Sequence, residues 1–432
     1  MTSSEPKYFY QLSNKPPQAI AAIEGQESVS YSALALRCVE MCEQIKTRAQ
    51  TSGALIFLKA HNNIATLVAY LAALQSGQPT MLLDPIISDE KLNSLIEAYK
   101  PNLIIENQNI SVLHTKPLEL APQLALMLST SGSTGSAKQV CLSTGNLHSN
   151  AESICQYLPI QPSDTTITTL PFFYSYGLSV INSHLLVGAC IVFNQHSLVS
   201  REFWQAFKQH KISSFAGVPY SYEMLLRLRF ERMDLPSLRY FTQAGGKLTV
   251  DKIQQLARYA SANNKQFFVM YGQTEATARM AYLKSELVES KAHSIGQAIP
   301  GGEFELWDEQ QQPIGQNEQQ GELVYRGPNV MLAYANKQNE LAQFTVLKEL
   351  KTGDIAYRDS DGDYVICGRT KRMIKLFGER INLDEVEDLI TQQGHECYCL
   401  GDDAKLHVAV LKHNNIKELK MWLSAQLGVN HH

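Results

Sequence analysis

The sequence offers one loop whose residue types could hold a polyphosphate. Residues 126–140 read LMLSTSGSTGSAKQV, so that an apolar run delivers Thr130, Ser131, Gly132, Ser133, Thr134 and Gly135, with Lys138 behind them. Glycine lets backbone amides turn towards an anion, hydroxyls add donors and a lysine supplies a compact positive charge. The Walker pattern is not met, because the position that must be glycine ahead of the lysine is Ala137. On residue types alone, an ordinary Ser/Gly turn remains open.

Something must hold such a loop, and the surrounding patterns say what. Residues 32–49 alternate apolar and polar positions as an amphipathic helix does, 54–60 form a short apolar run, 63–77 a second helical pattern and 80–84 another apolar run. The alternation resumes with runs at 186–194, 212–218, 238–244 and 266–272, and helical patterns at 201–211, 220–232 and 250–264. Strands alternating with helices predict parallel sheets covered by helices, an α/β fold. After about residue 290 short strand patterns and turn residues predict a β-rich subdomain, with the Gln-rich stretch 309–320 as its hairpin loop. Near residue 370 a small α+β unit is expected: a strand, a turn at Gly378 and Glu379, a helix capped by Asn382 with Glu385 three residues on, a hairpin over 397–413 and a last helix.

Composition narrows the class. The chain has 432 residues, 44% hydrophobic and 19% charged, which supports a sizeable core and excludes a disordered chain or a single small module. Lys and Arg number 38 against 42 Asp and Glu, a net charge of -4, so no basic footprint for nucleic acid is present. No stretch reaches membrane-spanning length and the N-terminus has no secretory pattern, so the expectation is a cytoplasmic protein. Eight cysteines without CxxC spacing predict free thiols, with Cys38, Cys42, Cys397 and Cys399 as apolar filler.

Five segments, in order, resemble the motifs of the adenylate-forming superfamily of acyl-CoA synthetases, peptide-synthetase adenylation domains and luciferases. Residues 129–138 (STSGSTGSAK) are similar to its phosphate loop and 170–177 (LPFFYSYG) to its acyl-pocket motif. Residues 244–247 (AGGK) are similar to its adenine-side turn and 271–275 (YGQTE) to its Tyr-Gly-x-Thr-Glu motif. Residues 352–354 (TGD) with Gly368 and Arg369 resemble its ribose-binding pair. The likeness covers roughly residues 25 to 425 and implies a large AMP-binding domain, 1–369, and a small mobile one, 370–432, hinged at Lys371, with the site in the cleft between them. By that resemblance Thr130 to Gly135 and Lys138 bind the phosphates of ATP, and Gly245, Gly246, Tyr271 and Gly272 serve the adenine side. Thr274 and Glu275 serve the α-phosphate and Mg²⁺, and Asp354 and Arg369 the ribose. Phe173, Tyr174, Tyr176 and Gly245 line the acyl pocket, and Lys138, Thr274 and Glu275 are the catalytic set.

The implied reaction is activation of a carboxylic acid. Its carboxylate attacks the α-phosphorus of ATP, pyrophosphate leaves, and the acyl-adenylate passes its acyl group to the thiol of coenzyme A or of a phosphopantetheinyl carrier protein. Two departures qualify the acid and the rate. The segment FFYSYG has Tyr174 where the family often has histidine, and it carries no carboxylate to meet a substrate ammonium. An acid other than an α-amino acid is therefore expected, with Phe172, Phe173, Tyr174, Tyr176 and Tyr220 suiting an apolar acyl or aryl group. Second, none of the lysines after Lys371, which are Lys375, Lys405, Lys412, Lys417 and Lys420, follows a glycine, as the family's terminal catalytic lysine does. The C-terminal domain thus reads as shortened and adenylation as slow, with a nucleotide- or acyl-adenylate-binding protein as the alternative.

Overall fold

Strands Thr80–Leu83, Ser214–Gly217 and Tyr240–Gln243 are buried at every residue, which requires cover on both faces and a place in the middle of a sheet. The computed structural model describes residues 8–129, 138–376, 379–402, 405–411 and 416–427. It divides into two compact units, Met1–Glu303 with Arg326–Leu350 and Phe304–Tyr325 with Lys351–His432.

The first unit holds two sheets. One has nine strands in the order Gln297–Ala298, Ala281–Leu283, Gln266–Tyr271, Tyr240–Gln243, Ser214–Gly217, Thr165–Ile167, Cys190–Phe193, Ile20–Glu24 and Glu27–Ser30. Its interior pairs are parallel and its edges antiparallel. The other has seven: Ala333–Ala335, Gln139–Ser143, Leu124–Ser129, Thr80–Leu83, Ile56–Lys59, Leu103–Glu106 and Asn109–Val112. The parallel α/β layers expected from the alternating patterns are thus present. The pattern over 220–232 is broken, however: the helix Pro219–Arg227 stops short, because Arg229 turns left-handed at φ 56° before a short 3-10 turn.

Local polar residues fix the helix starts. Ser143 and Asn146 form a reciprocal capping box at the helix Thr144–Tyr157. The Asn146 amide also donates to the carbonyls of Pro328 and Val330 at 2.7 and 2.8 Å, tying this helix to the chain leading into Ala333–Ala335. The aromatic centre of the nine-stranded sheet is Phe241, stacked on Phe267 at 4.8 Å and Phe215 at 5.7 Å.

In the second unit four strands lie in the order Glu303–Trp307, Gly321–Arg326, Leu350–Arg358 and Tyr364–Arg369, and the Gln-rich stretch is the loop between the first two. The unit continues through hairpins Met373–Leu376 with Glu379–Asn382 and Cys397–Asp402 with Lys405–Val410. Helices Leu383–Gln392 and Ile416–Leu427 complete it over a core containing Ile374, Val386, Ile390, Cys399 and Leu423. Glu379, expected in a turn, opens a strand, and its expected neighbour Gly378 lies outside the described residues. Among the described residues no helix is long and apolar enough to cross a membrane. All eight cysteines are free thiols, and burial pushes Cys38 and Cys141 up to about 12.

Replacing Phe241, which is fully buried, by alanine leaves a ring-sized gap between two stacked partners. A loss of about 3–5 kcal/mol in unfolding free energy is expected from denaturant titration; a loss below 1 kcal/mol contradicts its central place.

Candidate active site

Sheet register brings the loop lysine to a tyrosine nearly two hundred residues away. Tyr334 pairs with Val140 across antiparallel strands, and Lys138, two residues before Val140, shares its face. The Lys138 ammonium accordingly lies 3.4 Å from the centre of the Tyr334 ring, a cation–π contact. The Tyr334 hydroxyl donates to Glu275 Oε1 at 2.7 Å. Burial, then the bond to the Glu275 carboxylate and its charge, push the phenol pKa well upward, so Tyr334 stays a neutral donor. A backbone bond from Met331 N to Glu275 O at 2.8 Å fastens the same two segments. Lys138 and Glu275, expected to serve the phosphates and Mg²⁺, thus converge on one ring. The rest of the expected phosphate set, Thr130, Ser131, Gly132, Ser133, Thr134 and Gly135, lies outside the described residues.

Glu275 sits on a chain reversal with no room for a side chain at its entry. A β-carbon built on Gly272 would lie 1.7 Å from the Ala278 carbonyl oxygen. Thr277 and Ala278 follow at φ 59° and 107°, a costly conformation for non-glycine residues. Buried amides compensate. Asn329 donates to the carbonyls of Ala276 and Arg279 at 2.7 and 2.9 Å, Asn150 donates to that of Arg279 at 3.0 Å, and the Thr277 hydroxyl donates to Asn329 O at 2.7 Å. Tyr271, half-buried at the entry, accepts through its carbonyl from Met280 N and through its hydroxyl from the Gln273 amide. Thr274 Oγ1 lies 3.1 Å from Ser175 Oγ, joining this turn to the first residue of the helix Ser175–Val187.

The expected acyl-pocket residues divide. Tyr174 meets Gly245 so closely that a β-carbon there would stand 2.6 Å from the Tyr174 hydroxyl, and Gly245 is also at φ 83°. The neighbouring turn is pinned by the Gln243 side chain donating to Gly246 O at 2.9 Å. Phe173 is half-buried beside Tyr174. Tyr176 is built into the core, 3% exposed, its hydroxyl bonded to Thr242 and its pKa pushed up to about 12 by burial. Phe172 is fully buried against Tyr70 and Phe193, whereas Tyr220 is 69% exposed.

In the second unit, Asp354 and Arg369 are directly paired across the strands Leu350–Arg358 and Tyr364–Arg369. Arg369 Nε lies 3.0 Å from Asp354 Oδ1; the carboxylate is 3% exposed as a residue and the guanidinium is open. Thr352 Oγ1 accepts from Asp354 N at 3.1 Å and donates to Leu323 O at 2.7 Å, tying this stretch of the strand to its neighbour.

The donor set around Glu275 suits Mg²⁺. Its hard carboxylate takes one hydrogen bond from a neutral phenol and, among the described residues, pairs with no cation. No group of three metal-ligating side chains occurs among the described residues, so a metal here would complete its shell with phosphate oxygens and water, as Mg²⁺ does.

The sequence model for AMP-binding enzyme matches residues 9–335. The chain belongs to this family. It is 32% identical over 277 residues to the indoleacetate–CoA ligase of Aromatoleum aromaticum, covering 63% of this chain and 53% of that protein. It is 26% identical over 411 residues to the D-alanine–D-alanyl carrier protein ligase of Bacillus licheniformis, covering 87% of this chain and 80% of that one. The fold superposes on o-succinylbenzoate CoA synthetase of Bacillus subtilis, solved with its acyl-adenylate, with TM-score 0.81 at 22% identity over 98% of this chain and 92% of that one. The α/β fold and the adenylate-forming family expected from the ordered motifs are therefore in place.

Tyr334, Ser175, Asn329 and Arg279 were not singled out from the sequence. Tyr334 and Asn329 lie in 326–334, which read only as a strand and turn, and Ser175 lay inside FFYSYG. Gly272→Ala is expected to cost about 3 kcal/mol or more, since the obstructing atom is a main-chain carbonyl, while Gly315→Ala, with nothing within 4 Å of its added β-carbon, stays near wild type. Thermal melting of the two variants side by side checks this.

Proposed function

We propose that the protein is a carboxylate–AMP ligase that activates an acid other than an α-amino acid and passes the acyl group to the thiol of coenzyme A or a carrier protein. The observation that carries the reading is the Lys138–Tyr334–Glu275 chain, which sets a cation on the face of one phenol ring and a carboxylate at its hydroxyl. Lys138 neutralises charge on the leaving pyrophosphate and, with Thr274, orients the α-phosphate; Glu275 would hold Mg²⁺, whose charge screens the phosphoryl oxygens. The acid's carboxylate oxygen bonds to the α-phosphorus as the bond to pyrophosphate breaks, and the thiol sulfur then bonds to the acyl carbon as AMP leaves.

Asp354 accepts from the ribose hydroxyls and Arg369 donates to the same sugar. Tyr271, Gly245, Gly246 and Gly272 give the adenine a ring and a close-approach surface, with residues 130–135 on the phosphates. The division proposed is 1–369 for nucleotide and acid and 370–432 for the smaller domain. Tyr174, Phe173 and Gly245 flank the acyl group, with Tyr176 behind them as support. The segment FFYSYG offers no carboxylate, and the Arg279 guanidinium lies 4.7 Å from the Tyr176 ring, a cation that repels a substrate ammonium. The free thiols fit a reducing compartment, the cytoplasm. A binding protein without adenylation is the second reading.

Pyrophosphate release over a panel of carboxylic acids, with and without coenzyme A, separates the two: acid-dependent release is expected, and none with any acid rejects the ligase. In Lys138→Ala, ATP affinity is expected to fall by about 10- to 100-fold, for loss of a charge-assisted contact of about 1.5–3 kcal/mol. Tyr334→Phe keeps the ring under Lys138 but drops the bond to Glu275, so its larger effect is expected on the Mg²⁺ concentration that half-saturates release. Equal Mg²⁺ dependence in Tyr334→Phe and wild type rejects that role.

A further inference from the structure

Asp384 gives its two carboxylate oxygens to two different parts of the chain. Oδ2 accepts from the main-chain N of Arg369 at 3.2 Å, and Oδ1 lies 2.5 Å from Nε of Arg372. Arg372 is gripped a second time by Glu387 Oε1 at 2.5 Å, Glu387 also accepts from Cys399 N at 2.6 Å, and the Tyr398 ring centre lies 5.3 Å from the guanidinium. Arg372, Asp384 and Glu387 keep between 22% and 29% of their side-chain surface, against 66% for Arg369, so their bonds are little screened and hold a fixed geometry. The ordinary reason for an acid in the first turn of a helix, here Leu383–Gln392, is attraction to the helix dipole. Asp384 reaches beyond its own helix, to the 3-10 turn Thr370–Arg372 through which the chain passes from strand Tyr364–Arg369 to strand Met373–Leu376.

That turn adjoins the pair assigned to the ribose. Arg369 is the last residue of its strand, with Nε 3.0 Å from Asp354 Oδ1, and the hydroxyl of the next residue, Thr370, donates to Gly353 O at 3.0 Å. An arginine as exposed as Arg369 has a long side chain to order when it meets a ligand, and a loose main chain beneath it would add to that cost. Asp384 removes the second part by fixing the Arg369 N–H. We propose that Asp384 is a positioning residue for nucleotide binding: it holds the main chain of Arg369, and through it the guanidinium that meets the ribose. This rests on the ribose role given above to Asp354 and Arg369. Coupling of this kind is reciprocal, so a nucleotide whose sugar engages Arg369 steadies the turn as much as the turn steadies the nucleotide.

The test measures AMP binding to the full chain by titration calorimetry, and the rate of trypsin cleavage after Arg369, Lys371 and Arg372. In Asp384→Ala the AMP dissociation constant is expected to rise about 10-fold, and in Asp384→Asn, which keeps one acceptor oxygen, by less. Arg369→Ala is expected to weaken AMP as well, and adding Asp384→Ala to it to cost nothing further, because the side chain through which Asp384 acts is gone. Glu387→Gln loosens Arg372 but leaves the bond to Arg369 N, so it reports a merely structural role: a lower melting midpoint with AMP affinity near wild type is expected. In wild type, AMP is expected to slow cleavage at the turn and 2′,3′-dideoxy-AMP, which lacks the ribose hydroxyls, to leave it unchanged, a readout that needs no variant to fold. Wild-type AMP affinity in Asp384→Ala overturns the inference, and so does the same loss of affinity in Glu387→Gln. It is overturned equally if Asp384→Ala costs as much without Arg369 as with it, or if both nucleotides protect the turn alike. Wild-type AMP affinity in Arg369→Ala overturns the ribose reading itself, and the inference with it.

Discussion

The tightest constraint in the first unit is the approach of the Ala278 carbonyl to the α-carbon of Gly272. The chain from 271 to 280 can fold back on itself only because residue 272 has no side chain, and Thr274, Glu275 and Arg279 all lie on that reversal. The cost is two non-glycine residues at positive φ, and the compensation is a set of buried amides with satisfied donors, Asn329 and Asn150 foremost. Asn329 belongs to the same segment that Asn146 grips from the helix cap, so holding the turn also fixes the approach of Tyr334. A cap, a latch and a strand register thus act in series on the distance between Lys138 and Glu275.

The two units position their motif residues in different ways. In the first unit, groups far apart in sequence meet because sheet neighbours share a face, and the contacts are side chain to side chain. In the second, Asp354 and Arg369 meet because they are opposite residues of one antiparallel pair, so the backbone ladder itself carries the geometry. Asp354 is buried and held through Thr352, whereas Arg369 is 66% exposed at its side chain. A screened, open guanidinium of this kind contributes little to stability.

The α/β alternation was legible because strands buried on both faces are continuous apolar runs, and covering helices repeat with a different period. The motif residues were legible because five segments in order resemble those of the adenylate-forming superfamily, whereas their residue types alone left ordinary turns open. Tyr334 was not, since its contact with Lys138 arises from a strand pairing between residues almost two hundred apart that no local pattern encodes. Arg279 was not, because an arginine after a turn reads as solvated, and only the direction given by Thr277 and Ala278 turns it inward. Tyr176 was read as pocket lining from its neighbours, yet the helix beginning at Ser175 rotates it into the core, where Thr242 takes its hydroxyl. Local type thus told which chemistry was present, and topology decided which of those groups meet.

Tyr334 also explains why a lysine and a glutamate can sit so close without cancelling each other. A direct ion pair would satisfy both charges and leave neither for phosphate or metal, at a desolvation cost that burial increases. A phenol between them offers its ring face to the ammonium and its hydroxyl to the carboxylate, and it remains neutral because burial and the carboxylate both disfavour the phenolate. The negative charge of Glu275 stays available to a hard cation, and Lys138 is directed without being neutralised by that carboxylate. Arg279 is likewise set among aromatic groups, with its guanidinium on the Tyr176 ring and bonded to the Tyr157 hydroxyl, so aromatic side chains orient cations at two places in this unit.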